Sequence, residues 1–193
     1  MTGNDIVDMA AAAAESKWRR KGFLEKTFTL PEQQYIREAS SPEEMVWRLW
    51  SMKESAYKIY TRQHGGRFFA PLKIHCTVIS GTTGRVKINH TTYYTTTCTG
   101  KKYIYSIAKQ HKPGEAGFVN DCFRIARTNL GKQQQFIYKR MNSFYSLFFG
   151  KEKEQITIIK DQNGIPFLYC SQNQQRIPVS ITHHGNYAAF TIY

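Results

Sequence analysis

The sequence predicts an α+β protein built as two similar lobes, each a helix packed on a small antiparallel sheet. Three observations carry this expectation. Residues 41–60 read as one long helix with a clear start. The β-rich stretches that follow are separated by glycine turns, as in an antiparallel meander. After a Pro/Gly cluster at residues 111–117, helix and hairpins come again. The lobes are therefore expected at residues 1–112 and 118–193, a size that suits one two-lobed unit of 193 residues.

Taken in order, residues 3–8 predict a short strand with Ile6 and Val7 as its apolar members. Ser41-Pro42-Glu43-Glu44 offers an N-cap, a proline at the first helical position and acids where the helix dipole favours them. Val46, Leu49, Trp50 and Met52 continue the helix until Gly65-Gly66 breaks it. Residues 72–80, 85–98 and 101–109 read as strands. The second lobe is expected to open on a helix whose buried face is Ile137, Met141, Phe144 and Phe148, stepping by four, three and four, and Gly150 ends it. Asp161-Gln162-Asn163-Gly164 is a hairpin turn between residues 155–160 and 165–169, and residues 177–182 and 187–193 close the chain.

Composition narrows the function. Lys and Arg number 27 against 14 Asp and Glu, a net charge of +13, so an anionic partner is expected: nucleic acid, a phosphate-bearing cofactor, an acidic protein or a membrane surface. Basic residues interleaved with aromatics, as in Lys17-Trp18-Arg19-Arg20-Lys21, fit a nucleic-acid-binding module without catalysis, although no zinc-finger or RNA-binding signature accompanies them. The longest apolar run, residues 9–14, is too short to span a bilayer and follows two aspartates, so neither membrane insertion nor secretion is expected. Cys76, Cys98, Cys122 and Cys170 form no CxxC pair, which argues against a zinc ribbon and for reduced thiols in the cytoplasm.

Within the predicted helix, Trp50, Glu54 and Lys58 recur at i, i+4 and i+8 and share one stripe. By spacing alone, Glu54 and Lys58 are an ordinary solvated pair; the Trp on their stripe suggests partial burial. Asp5 ends a short strand. With a helix carboxylate it has the chemistry to share Mg2+, which takes few protein carboxylates and fills its shell with phosphate and water. Singly, Asp5 reads equally as a cap and His183 as a hydrogen-bonded loop histidine.

Together these segments resemble the 4′-phosphopantetheinyl transferase superfamily. Residues 3–8 (GNDIVD) are similar to its GIDIVE motif, and residues 50–58 (WSMKESAYK) to its W/F-xx-KE-A/S-xxK motif. Phe28-Thr29 with Glu32 resembles the FT..E stretch of holo-acyl-carrier-protein synthases, and Ser180-Ile181-Thr182-His183 the SISH motif. Residues 118–193 are similar to the N-terminal lobe of the larger, surfactin-synthetase-activating type, here placed last. Asn4 stands for the usual Ile, Asp8 for Glu, and Ile165 for the Lys of a GKP turn, so another basic residue is expected to supply that phosphate contact.

The resemblance implies transfer of 4′-phosphopantetheine from coenzyme A to a serine of an acidic acyl or peptidyl carrier protein, with 3′,5′-ADP released. It implies Mg2+ on Asp5 and Glu54, with Glu54 and Lys58 as catalytic residues. Coenzyme A would be held by His183, Thr182, Lys53, Arg124 and Arg127. It further implies a monomer, with the active site between the lobes, that acts on no nucleic acid.

Overall fold

Strand β1 (Thr2–Asp8) is buried along its whole length, and both halves of the chain are built against it. The structure, a computed structural model, describes residues 1–66, 69–110, 118–126, 129–150 and 156–193. After β1 come short helices α1 (Met9–Glu15), α2 (Phe23–Thr27) and α3 (Leu30–Glu38), then the long helix α4 (Pro42–His64). A meander of β2 (Ile74–Val78), β3 (Thr83–Ile88), β4 (Thr91–Thr99) and β5 (Tyr103–Lys109) completes a five-stranded antiparallel sheet in the order β1-β5-β4-β3-β2. The second half runs β6 (Val119–Arg124), α5 (Leu130–Phe149), β7 (Ile156–Lys160), β8 (Pro166–Cys170), β9 (Gln175–His184) and β10 (Tyr187–Ile192). Its five strands are ordered β6-β10-β9-β8-β7, so the two sheets share one connectivity. The protein is thus α+β with two lobes of like topology.

Sequence and structure differ at several points. The expected strand over residues 85–98 is two strands, because Asn89 takes a left-handed backbone (φ 52°), which Asn tolerates better than most residues, and turns β3 into β4. The second lobe opens on a strand, β6, rather than a helix; Phe123 packs into that lobe's core while β6 pairs with the C-terminal strand. The buried stripe of α5 is Ile137, Met141 and Tyr145; Phe148 is 58% exposed and stacks on Phe144. The expected boundary at 111–117 lies outside the described residues, as does the start of the stretch expected over 155–160. Ser41 sits at the N-cap of α4, but its side chain makes no capping hydrogen bond.

The first core gathers Val46, Leu49, Met52, Ala56 and Ile59 of α4 over the meander residues Ile74, Val86, Ile88, Tyr93 and Ile104. Gly3 lets α4 lie directly on β1: a Cβ there would fall 2.1 Å from the Ser55 carbonyl oxygen. Between the lobes Ile6, Tyr105 and Ala189 make a small apolar cluster. All four cysteines are free, with Cys76 and Cys170 buried, Cys122 partly buried and Cys98 exposed.

Lys53, expected at a phosphate, is instead wholly buried, and its ammonium spends three donors inside the lobe. They go to Glu32 Oε2 at 2.7 Å, the Pro71 carbonyl at 2.7 Å and the Ile74 carbonyl at 2.6 Å. Glu32 is equally buried and also accepts from the backbone N–H of Thr29 (2.8 Å) and of Cys76 (2.6 Å). This pair ties α3, α4 and β2 together, and the Lys53 side chain has no exposed surface. Removing one partner of such a pair leaves an uncompensated buried charge. Glu32→Gln should therefore lower unfolding free energy by about 3–5 kcal/mol. The double change Glu32→Gln, Lys53→Met should recover much of that loss, as read by chemical denaturation.

Candidate active site

The site forms where β1, α4 and β9 converge. As an edge strand, β1 has backbone N–H groups pointing away from its own sheet, and buried donors of this kind need acceptors. Alternate residues of β9 provide them. Asn4 N donates to Ser180 Oγ (3.2 Å), Ile6 N to Thr182 Oγ1 (3.4 Å) and Asp8 N to His184 Nδ1 (3.0 Å). At the next turn, Asp8 caps α1 by accepting from Ala10 N and Ala11 N and takes Asn186 N at 2.8 Å. Burial pushes the Asp8 carboxyl up, but these backbone donors outweigh it and hold the group below its ordinary value. Asp8 therefore works as a cap and lobe tie. A Cβ at Gly185 (φ +55°) would fall 2.3 Å from Asp8 Oδ2, so this turn requires glycine.

Strand alternation sends His183 to the opposite side from Thr182 and His184. His183 is exposed and, with Asp5, Glu54, Trp47 and Trp50, lines a cavity of about 380 Å3. A second cavity, about 580 Å3, shares Glu54 and is lined by Lys58 and Arg62 of α4, the turn Gly164-Ile165-Pro166, and Ser180. Trp50 is half-buried and meets Phe69 edge-on at 5.4 Å.

Asp5 Oδ1 receives the Thr182 hydroxyl at 3.1 Å and the Lys58 ammonium at 3.3 Å; Lys58 also donates to the Asn4 carbonyl at 2.7 Å. Glu54, one turn before Lys58, has no hydrogen-bond or ion-pair partner among the described residues. Burial, and then the charge of Asp5, push its carboxyl up to about 7, with Lys58 opposing. Burial raises Asp5 as well, against the pull of Lys58 and Thr182. Two desolvated carboxylates that repel each other, one without a partner among the described residues, are a donor set suited to a small divalent cation. Oxygen ligands and open positions are what Mg2+ takes, so the residues present fit it.

The other expected ligands fare differently. His183 faces the carboxylate cavity, and burial together with Lys58 and His184 lowers its pKa, so it is neutral near pH 7. The Thr182 hydroxyl is committed to Asp5 and Ile6, turned away from open space, which corrects its expected place among the phosphate contacts. Arg124 is exposed at the end of β6, opposite Tyr187, and lines neither cavity. Arg127 lies outside the described residues. Arg62 was missed by sequence reasoning, yet the i+4 step that linked Glu54 to Lys58 leads to it. No helix of the described residues is long and apolar enough to cross a membrane.

A proton on Glu54 competes with a cation. The folded protein holds that proton more tightly than the unfolded chain, so this group opposes folding increasingly from its ordinary 4.5 up to about 7, where the ionised form prevails. Added Mg2+ should therefore raise the melting temperature clearly at pH 8 and little at pH 5.5, and in Glu54→Gln both that rise and its pH dependence should shrink.

Compared with known protein families, residues 1–116 match the model of the 4′-phosphopantetheinyl transferase superfamily. No curated protein matches the chain significantly.

Proposed function

We propose that this chain, which belongs to the 4′-phosphopantetheinyl transferase superfamily, moves 4′-phosphopantetheine from coenzyme A to a serine hydroxyl of an acidic acyl or peptidyl carrier protein. Phosphopantetheinyl transfer is the superfamily's activity; the donor, metal and acceptor are our reading of the site. The observation that carries it is the pair Asp5 and Glu54, crowded by burial and by each other at the meeting point of two cavities.

In the reaction, the serine oxygen attacks the phosphorus that bears pantetheine, the bond from that phosphorus to the bridging oxygen breaks, and 3′,5′-ADP leaves. Asp5 and Glu54 would hold Mg2+, which when bound supplies positive charge to the diphosphate. Thr182 keeps the Asp5 carboxylate oriented through its 3.1 Å hydrogen bond. Glu54 would also accept the serine proton, being the carboxylate of the pair with no hydrogen-bond partner among the described residues. Lys58 is pinned by Asn4 and Asp5 beside these carboxylates and stabilises the departing phosphate. His183, neutral in the free protein, would gain a proton beside a phosphate and bind it as a charged donor. The same chain supplies β1, α4 and β9, so the cleft is complete in a monomer. A net charge of +13 suits steering of an acidic carrier.

The test is mass spectrometry of an apo carrier protein incubated with coenzyme A, Mg2+ and this protein. A gain of the phosphopantetheine mass is expected, with turnover in Glu54→Gln lower by about a hundredfold or more. Carriers from fatty-acid and nonribosomal systems that all keep their apo mass would refute the proposal.

A further inference from the structure

The clasp of β9 on β1 closes one flank of the contact between lobes; the other flank ends in two thiols. Cross-strand partners in a sheet share a face. In the first lobe Ile6, Tyr105 and Cys98 are successive partners on β1, β5 and β4. In the second, Cys122, Ala189 and Thr182 are successive partners on β6, β10 and β9. The two rows face each other in order. At one end Ile6 N donates to Thr182 Oγ1 (3.4 Å), and Ile6, Tyr105 and Ala189 pack together in the middle. The far end therefore sets Cys98 opposite Cys122, which packs on that same cluster. Because the sheets share one connectivity, β4 meeting β6 is the counterpart of β9 meeting β1.

Tyr103, also on the facing side of β5, lies beside both sulfurs. Its ring tilts against Tyr187 of the other lobe at 4.9 Å, and its hydroxyl hydrogen-bonds Cys122. The charge of Cys122, then burial, and further the charge of Cys98 push that hydroxyl up to about 12. Cys98 is exposed, so an oxidant reaches it first; Cys122 is partly buried, and both thiols are free.

We propose that Cys98 and Cys122 form a reversible disulfide that joins the two lobes, with a hydroperoxide as the oxidant. The Cys98 thiolate attacks a peroxide oxygen, the O–O bond breaks, and Cys98 becomes a sulfenic acid while the leaving oxygen departs as water. The Cys122 sulfur then attacks the Cys98 sulfur, the S–O bond breaks, and the hydroxide leaves as a second water with the Cys122 proton. Two thiols are oxidised and one hydrogen peroxide is reduced to two waters.

The test treats the reduced full chain with hydrogen peroxide, blocks remaining thiols by alkylation, and maps peptides by mass spectrometry beside thermal melts. A Cys98–Cys122 cross-linked peptide within one chain is expected, with a melting temperature about 5 °C or more above that of the reduced protein. Dithiothreitol should reverse both. Cys98→Ser, altered at an exposed site, should melt like the reduced wild type and show neither the link nor the rise. Cys98 carried on to sulfinic acid without a link, or linked to a second chain or to another cysteine, would overturn the proposal. So would a link that fails to raise the melting temperature, since it would not join lobes already in their native places.

Discussion

The structure depends on how the free edge of β1 is satisfied. Three buried N–H groups on one strand edge would cost several kcal/mol if left unpaired. Here they are met by the side chains of Ser180, Thr182 and His184. Both partners have a period of two, so the lobes lock in steps of two residues. A slip of one residue would set Ile181 and His183 against β1, losing the hydroxyl acceptors and turning His184 instead of His183 to the cleft. The contact that joins the lobes thereby decides which histidine faces solvent and gives Asp5 its hydrogen bond from Thr182.

Two lobes of one topology have diverged in what their long helices carry. Helix α4 crosses β1 closely because Gly3 has no side chain, and it presents a carboxylate, an ammonium and a guanidinium on successive turns toward the cleft. Helix α5 turns Ile137, Met141 and Tyr145 into an apolar core. The first lobe thus brings the charged chemistry, while the second brings the clasp, His183 and the turn at Gly164. Between them the cleft is crowded enough to raise both carboxylates and lower His183, shifts in opposite directions that share one cause, desolvation of the charged form.

Much of this was legible in the residues. The Ser-Pro-Glu-Glu start and Gly-Gly stop bracket α4, the Asp161–Gly164 turn is a hairpin, and the i+4 stripe puts Glu54 beside Lys58. Where reading failed, a distant partner decided. Lys53 adjoins Glu54 in sequence but points into the lobe because Glu32, on another helix, waits there; Thr29-x-x-Glu32 is a capping pattern and was the available signal. Thr182 sits in a motif with His183, yet alternation turns it toward β1. Arg62 follows Lys58 by one turn, but only the fold brings it opposite Ile165. The strand at β6 was hidden because its pairing with β10 is the longest-range in that sheet.

The central claim is that the β1–β9 clasp and α4 together hold Asp5 and Glu54 as one cation site. Anomalous diffraction from crystals grown with Mn2+, which shares the oxygen preference of Mg2+, tests it most directly. The account predicts a single strong peak within ligand distance of both carboxylates. A peak bound elsewhere, or none at saturating Mn2+ with Asp5 still held by Lys58 and Thr182, would contradict it.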